Sequence, residues 1–94
     1  MADKTKLEKL RSKIDAIDAT LVRLLAKRMR VVGRIGKLKQ REGIAALDNV
    51  RWAQVLSRLK AISLKTGELD DKFVEDIWNR IHEEALKNEE PKKK

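Results

Sequence analysis

The sequence predicts an all-α protein, one long helix plus two shorter ones, with the long helix packed against that of a second copy in a homodimer. Three observations carry the prediction. Charged residues make up 40% of the chain and aromatics 3%, a profile rich in Lys, Arg, Glu, Leu and Ala that favours helix. Apolar residues recur every three or four positions, never every second one, so one face of each segment is apolar. Helix stop and start signals fall at only a few places along the chain. There is no internal repeat and no strand pattern.

The first helix is the longest. From Leu7 the apolar residues fall at 7, 10, 14, 17, 21, 24, then 31, 35 and 38. One member of the series is missing, and Arg28 occupies its place. Nothing in residues 5–41 breaks a helix outright; Gly33 and Gly36 weaken it by about 1 kcal/mol each relative to Ala. The stretch EGIAALD (42–48) supplies a glycine stop, a short apolar connector and Asp48 as an N-cap. The second helix runs from about Asn49 to Thr66, with Trp52, Val55, Leu56, Leu59 and Ile62 inward and Gly67 as its stop. ELDD (68–71) restarts the chain with capping acids. The third helix carries Phe73, Ile77, Trp78, Ile81 and Ala85 to roughly Glu89, and Pro91 ends it.

A first helix of that span is about 55 Å long. Two helices half its length cannot cover its whole stripe, so the uncovered part needs another chain. The spacing persists over more than four heptads, and the simplest cover is a second copy of the same helix. The alternative is a first helix broken at Gly33–Gly36 that folds as a compact four-helix monomer.

Ninety-four residues fit one domain, 1–94, with a core at about 6–89 and a flexible basic tail at 90–94. The chain has no cysteine, which excludes disulfides and cysteine-based metal sites. The opening MADKTKLEKL lacks an apolar core of the kind that targets secretion, and no run reaches the length of a membrane span. The expectation is a soluble, cytoplasmic protein without a membrane partner. The net charge of +8 is uneven. Residues 4–42 hold thirteen Lys or Arg against four acids, and residues 68–90 hold nine acids against three bases. A basic half implies an anionic partner, whereas the acidic half reads as solvated surface.

A single charge on a helix seam usually fixes register and oligomeric state. Arg28 has company, however. Lys39 lies eleven residues on, on nearly the same face and about 16 Å along the axis. Two long basic side chains leaning together across that gap can grip one small anion. Arg11 sits beside the stripe, some 25 Å from Arg28 and out of reach of the same small ligand. In an antiparallel dimer, the Arg11 end of one helix comes near the middle of the other. Arg51, in the first turn of the second helix, is aimed at the same region. Four cations converging on one pocket repel one another unless a polyanion joins them. Guanidinium groups favour carboxylate or phosphate, so a ligand with two carboxylates fits.

LRSKIDAID (10–18), LLAKR (24–28), GKLK (36–39), DNVRW (48–52) and IHEEAL (81–86) together resemble the all-helical chorismate mutases, in their order and spacing. The resemblance covers about residues 6–89. It implies a long helix followed by two shorter ones, intertwined as a dimer with two identical pockets. It further implies chorismate, a dicarboxylate, as substrate and prephenate as product, at the branch point towards phenylalanine and tyrosine. By the match, Arg28 binds one carboxylate and Arg11 of the second copy another part of the dianion. Lys39 reaches the ether oxygen and a carboxylate, Arg51 adds positive field, and Asp48 helps receive the ring hydroxyl. The implied reaction is pericyclic and calls for no nucleophile, metal or redox cofactor. His82 is then a surface or packing residue.

Three positions depart from the family pattern. Trp52 stands where Glu is common, Ala85 where Ser or Asn is frequent, and Glu89 where Gln often lies beside the ether oxygen. Glu89 follows Ile81 and Ala85 along one helix line, so the inward stripe can carry it into the pocket. To donate to the ether oxygen it must be protonated. Burial and a bound dianion favour that form, whereas Lys39 and the arginines favour the carboxylate. The competing expectation is a solvated glutamate on a fraying helix end.

On the same fold the nearest rival function is isochorismate pyruvate lyase, which Trp52 and Ala85 bring into consideration because they alter the hydroxyl side. A basic helical nucleic-acid binder is the rival from another class. The position of the cations on or beside the apolar seam argues against it, as does the lack of a short helix-turn-helix pair or RNA-binding aromatic motif. A coiled-coil scaffold is the third reading; there Arg28→Leu would raise stability with no activity to lose.

Overall fold

The computed structural model describes residues 2–89, apart from the side chain of Ala2, and all three elements in them are helices. These are α1 (Ala2–Glu42), α2 (Asn49–Thr66) and α3 (Asp71–Glu89). Pro91 and the basic tail at 90–94 lie outside the described residues. The chain divides into two units, with the boundary between Val31 and Val32 inside α1.

The N-terminal unit is helix alone. Its stripe of Leu7, Leu10, Ile14, Ile17, Leu21 and Leu24 stands 45–58% exposed, although its spacing is that of a buried face. Among its described residues only Arg28 and Met29 are half-buried.

The second unit holds the end of α1, α2 and α3. Its turns follow from glycine chemistry. Gly43 has φ +70°, and the Ile44 amide donates to the Lys39 carbonyl at 2.8 Å while the Gly43 amide donates to Gln40 at 3.4 Å. This pair of bonds is the Schellman ending, which satisfies carbonyls left open at a helix C-terminus. Asp48 then caps α2: its carboxylate accepts from the Arg51 amide at 3.0 Å. At the far end of α2, Gly67 is also left-handed and its amide donates to the Ser63 carbonyl. Ser63 is the most buried polar residue, at 3% exposure, and its hydroxyl donates to the Leu69 carbonyl at 3.1 Å, closing the turn into α3.

The core of this unit is thin: Val32, Val55, Val74, Ile81 and Ala85 are its buried apolar residues. The apolar spacing predicts broader inward faces than these. Ile62 (54%), Phe73 (51%) and Ile77 (37%) are exposed, so the contact made by these helices does not extend over them.

Gly36 is buried, and its missing side chain is structural. A Cβ there would lie 2.6 Å from the Cα of Glu89 and 2.7 Å from its carbonyl oxygen. Gly33 has nothing within 4 Å of the same position, and on the helical wheel it lies about 160° from both Val31 and Ile35. The two glycines therefore respond oppositely to alanine. Gly33→Ala should stabilise the fold by about 0.5–1 kcal/mol through helix propensity. Gly36→Ala gains the same propensity but should lower stability by about 1–3 kcal/mol, as overpacking does. Urea denaturation of both variants checks the pair, and equal shifts would contradict the contact.

Candidate active site

The site in the second unit is built around Lys39 and Glu89. Lys39 stands in the last turn of α1, and Glu89 is the last residue of α3. The Lys39 ammonium donates to Glu89 Oε1 at 2.8 Å and to the Ala46 carbonyl at 2.7 Å. The two side chains are 21% and 9% exposed, so most water is excluded from the pair. An ammonium has three N–H donors. Two are engaged here, and the third has no partner among the described residues. Glu89 is thus a buried, paired carboxylate rather than a solvated one at a loose end. It lies there because Ile81, Ala85 and Glu89 share the buried line of α3.

This pairing differs in kind from the ion pairs made within α3 itself. Lys72–Asp76 (2.7 Å) and Arg80–Glu84 (3.1 Å) lie in water one helical turn apart. The hydrogen bond that Lys72 donates to Asp76, followed by the charge of Asp76, holds the Lys72 amine above its ordinary range. A hydrogen bond from Arg80, then the charge of Lys87, holds the Glu84 carboxyl below its own. Such pairs contribute little to stability. They leave the acidic face of α3 solvated.

The remaining sequence-derived positions fall as follows. Asp48 spends its carboxylate on the cap of α2, donated to by the Arg51 amide, while the Arg51 side chain is exposed. Ala85 is buried at 6% exposure. Trp52 is half-buried and stacks face to face on His82, with centroids 4.0 Å apart and planes 10° from parallel. His82 is therefore a packing residue against Trp52, which joins α2 to α3. Arg11 and Arg28 belong to the N-terminal unit, Arg11 exposed and Arg28 half-buried. The Arg28 Nη1 atom is buried with no hydrogen-bond partner, the one such side-chain atom among the described residues. A buried, unpaired guanidinium nitrogen is costly, and an anion would relieve it. No group of three or more His, Asp or Glu side chains among the described residues could hold a metal ion. None of the described helices is long and apolar enough to cross a membrane.

Gln40 was not legible as a site residue. Its amide donates to the Glu89 main-chain carbonyl at 3.1 Å. It lies off the apolar stripe, and its partner is 49 residues away. No signal in a single sequence marks it.

Three helices, with Lys39 of the first paired to a buried carboxylate of the third, define a small all-helical domain. The chain belongs to the chorismate mutase type II family, whose model matches residues 10–90. It is similar to the T-protein of Haemophilus influenzae, with 34% identity over 88% of this chain and 22% of that protein. The T-protein of Enterobacter agglomerans is 32% identical over 93% of this chain and 23% of its own length. A 4-amino-4-deoxychorismate mutase of Streptomyces venezuelae is 28% identical over 96% of this chain and 86% of its own. The chain thus spans under a quarter of the T-proteins it matches. No solved structure gave a significant match.

The pair makes a stability prediction. Removing Lys39 leaves a buried carboxylate unpaired, at a cost of about 1–3 kcal/mol. Lys39→Met should show that loss, and adding Glu89→Gln should recover at least half of it. Chemical denaturation of the single and double variants measures this. A double variant no more stable than the single would mean the two groups are not coupled.

Proposed function

We propose that this domain rearranges chorismate to prephenate in a cationic pocket completed by a second copy of the chain. The observation that carries the proposal is the Lys39 ammonium, fixed at 2.8 Å from Glu89 and 2.7 Å from Ala46 with one donor left for a ligand. Family membership supports the chemistry. So does the buried, unpartnered Nη1 of Arg28, which suits a carboxylate. The exposed stripe from Leu7 to Leu24 supports the homodimer, since a second helix of the same spacing would cover it.

In this reading Arg28 and Arg11 of the second copy bind the two acidic ends of the substrate, and Arg51 adds positive field. Asp48 receives the ring hydroxyl with the carboxylate oxygen not used in capping. The ligand is held in its compact, reactive shape, where the ether C–O bond breaks as the new C–C bond forms. Holding that geometry removes orientational freedom before the reaction. Negative charge grows on the ether oxygen, and the third N–H of Lys39 stabilises it. Glu89 adds a second donor when protonated. An enzyme of this branch point would work in the cytoplasm.

The direct test is to add chorismate and follow its loss, with isochorismate and 4-amino-4-deoxychorismate as competing substrates. Prephenate should be the main product. Arg28→Ala and Lys39→Ala should each lower kcat/KM by about 10²–10³-fold while helical content stays unchanged. Release of pyruvate from isochorismate at a higher rate would assign the lyase reaction instead. Glu89→Gln, whose amide donates without needing a proton, should keep turnover, whereas Glu89→Ala should lower it; equal rates in wild type and both variants would remove Glu89 from the chemistry.

A further inference from the structure

We propose that Gly36 and Gln40 are positioning residues: together they dock the end of α3 on α1, so that Glu89 and Lys39 present one fixed geometry to the substrate. The inference rests on the functional reading above and adds to it two residues that touch no substrate.

Gly36, Lys39 and Gln40 lie within about one turn of α1, on neighbouring positions of its surface. All three meet Glu89. Gly36 meets its backbone, since a Cβ would stand 2.6 Å from its Cα, 2.7 Å from its carbonyl oxygen and 3.1 Å from its carbonyl carbon. Gln40 donates to that same carbonyl oxygen at 3.1 Å. Lys39 takes the carboxylate at 2.8 Å. One residue is therefore gripped at its α-carbon, its main-chain oxygen and its side chain by three residues within about one turn of a single helix.

Each grip answers a physical need. The last carbonyls of a helix have no partner within it and carry the negative end of its dipole. The Gln40 amide satisfies one of them from outside. A carbonyl can take a donor there only if the two backbones come close, which the hydrogen atom in place of a side chain at Gly36 permits. Backbone capture also removes the fraying expected of a terminal residue, leaving the Glu89 side chain few rotamers to search. Lys39 is fixed from the opposite direction by the Ala46 carbonyl, on the loop that Gly43 turns. The two charges are thus set by main-chain anchors on both sides. A misplacement of about 1 Å in such a group costs up to 10²-fold in rate.

The test is Gln40→Met, which keeps the length and removes the donor. Its kcat for chorismate should fall about ten-fold with KM within two-fold of wild type. In a Glu89→Ala background the same change should lower kcat less than two-fold, because Gln40 acts through Glu89. A purely structural residue would lower both backgrounds alike. A second readout is independent of turnover: an NOE between the α-protons of Gly36 and Glu89, strong in wild type and weakened in Gln40→Met. Equal losses in both backgrounds, unchanged kcat, or an absent wild-type NOE each overturn the proposal. If the wild-type chain turns over no chorismate, the functional reading fails, and with it the kinetic claim; the NOE then decides whether the docking itself stands.

Discussion

The contact between Lys39 and Glu89 governs the geometry of the site. In a chain of net charge +8, an ammonium drawn into partial burial needs a fixed negative partner or a ligand, because desolvation otherwise returns it to water. Glu89 supplies that partner at 2.8 Å. The pair reaches across two helices, and the elements around it are arranged to permit it. Gly36 lets the backbones approach, the Gly43 turn brings Ala46 over the ammonium, and the line Ile81–Ala85–Glu89 delivers the carboxylate.

Within the pair the two charges offset each other. The arginines differ. Arg11 and the Arg51 side chain have no counter-charge among the described residues, and one nitrogen of Arg28 is buried without any partner. In the proposed pocket the dianion is the missing half of this balance. In that proposal the arginines would bind the acidic groups and leave Lys39 and Glu89 for the ether oxygen. Positioning and charge stabilisation would then come from different residues.

Much of this was legible in the sequence, because it rests on local rules. Asp48 caps α2, and Gly43 and Gly67 stop α1 and α2, where side-chain chemistry calls for them. Glu89 lies on the buried line because helical spacing puts it there. Contacts between distant segments were less visible. Gly36 registers locally as a weak helix former, and only its approach to Glu89 shows what the glycine does. Gln40 is one polar side chain among many until the end of α3 is set beside it. His82 reads as a surface or packing residue and does pack, but that its partner is Trp52 emerges only from the fold. Ile62 and Phe73 show the reverse error: apolar spacing marks a residue as eligible for burial, and the width of the helix contact decides how much of that face is covered.

The central claim is that each pocket draws its cations from two copies of the chain. Complementation tests it most directly. Arg11→Ala and Lys39→Ala would be purified separately, each nearly inactive, then unfolded together and refolded as a mixture. If Arg11 serves the pocket of the other copy, a mixed dimer contains one wholly intact pocket and one doubly defective pocket. Half of the dimers are mixed, so roughly a quarter of wild-type activity per pocket should return. Activity that stays at the level of the separate variants would contradict the account, because it would place Arg11 in the same pocket as the Lys39 of its own chain or in none.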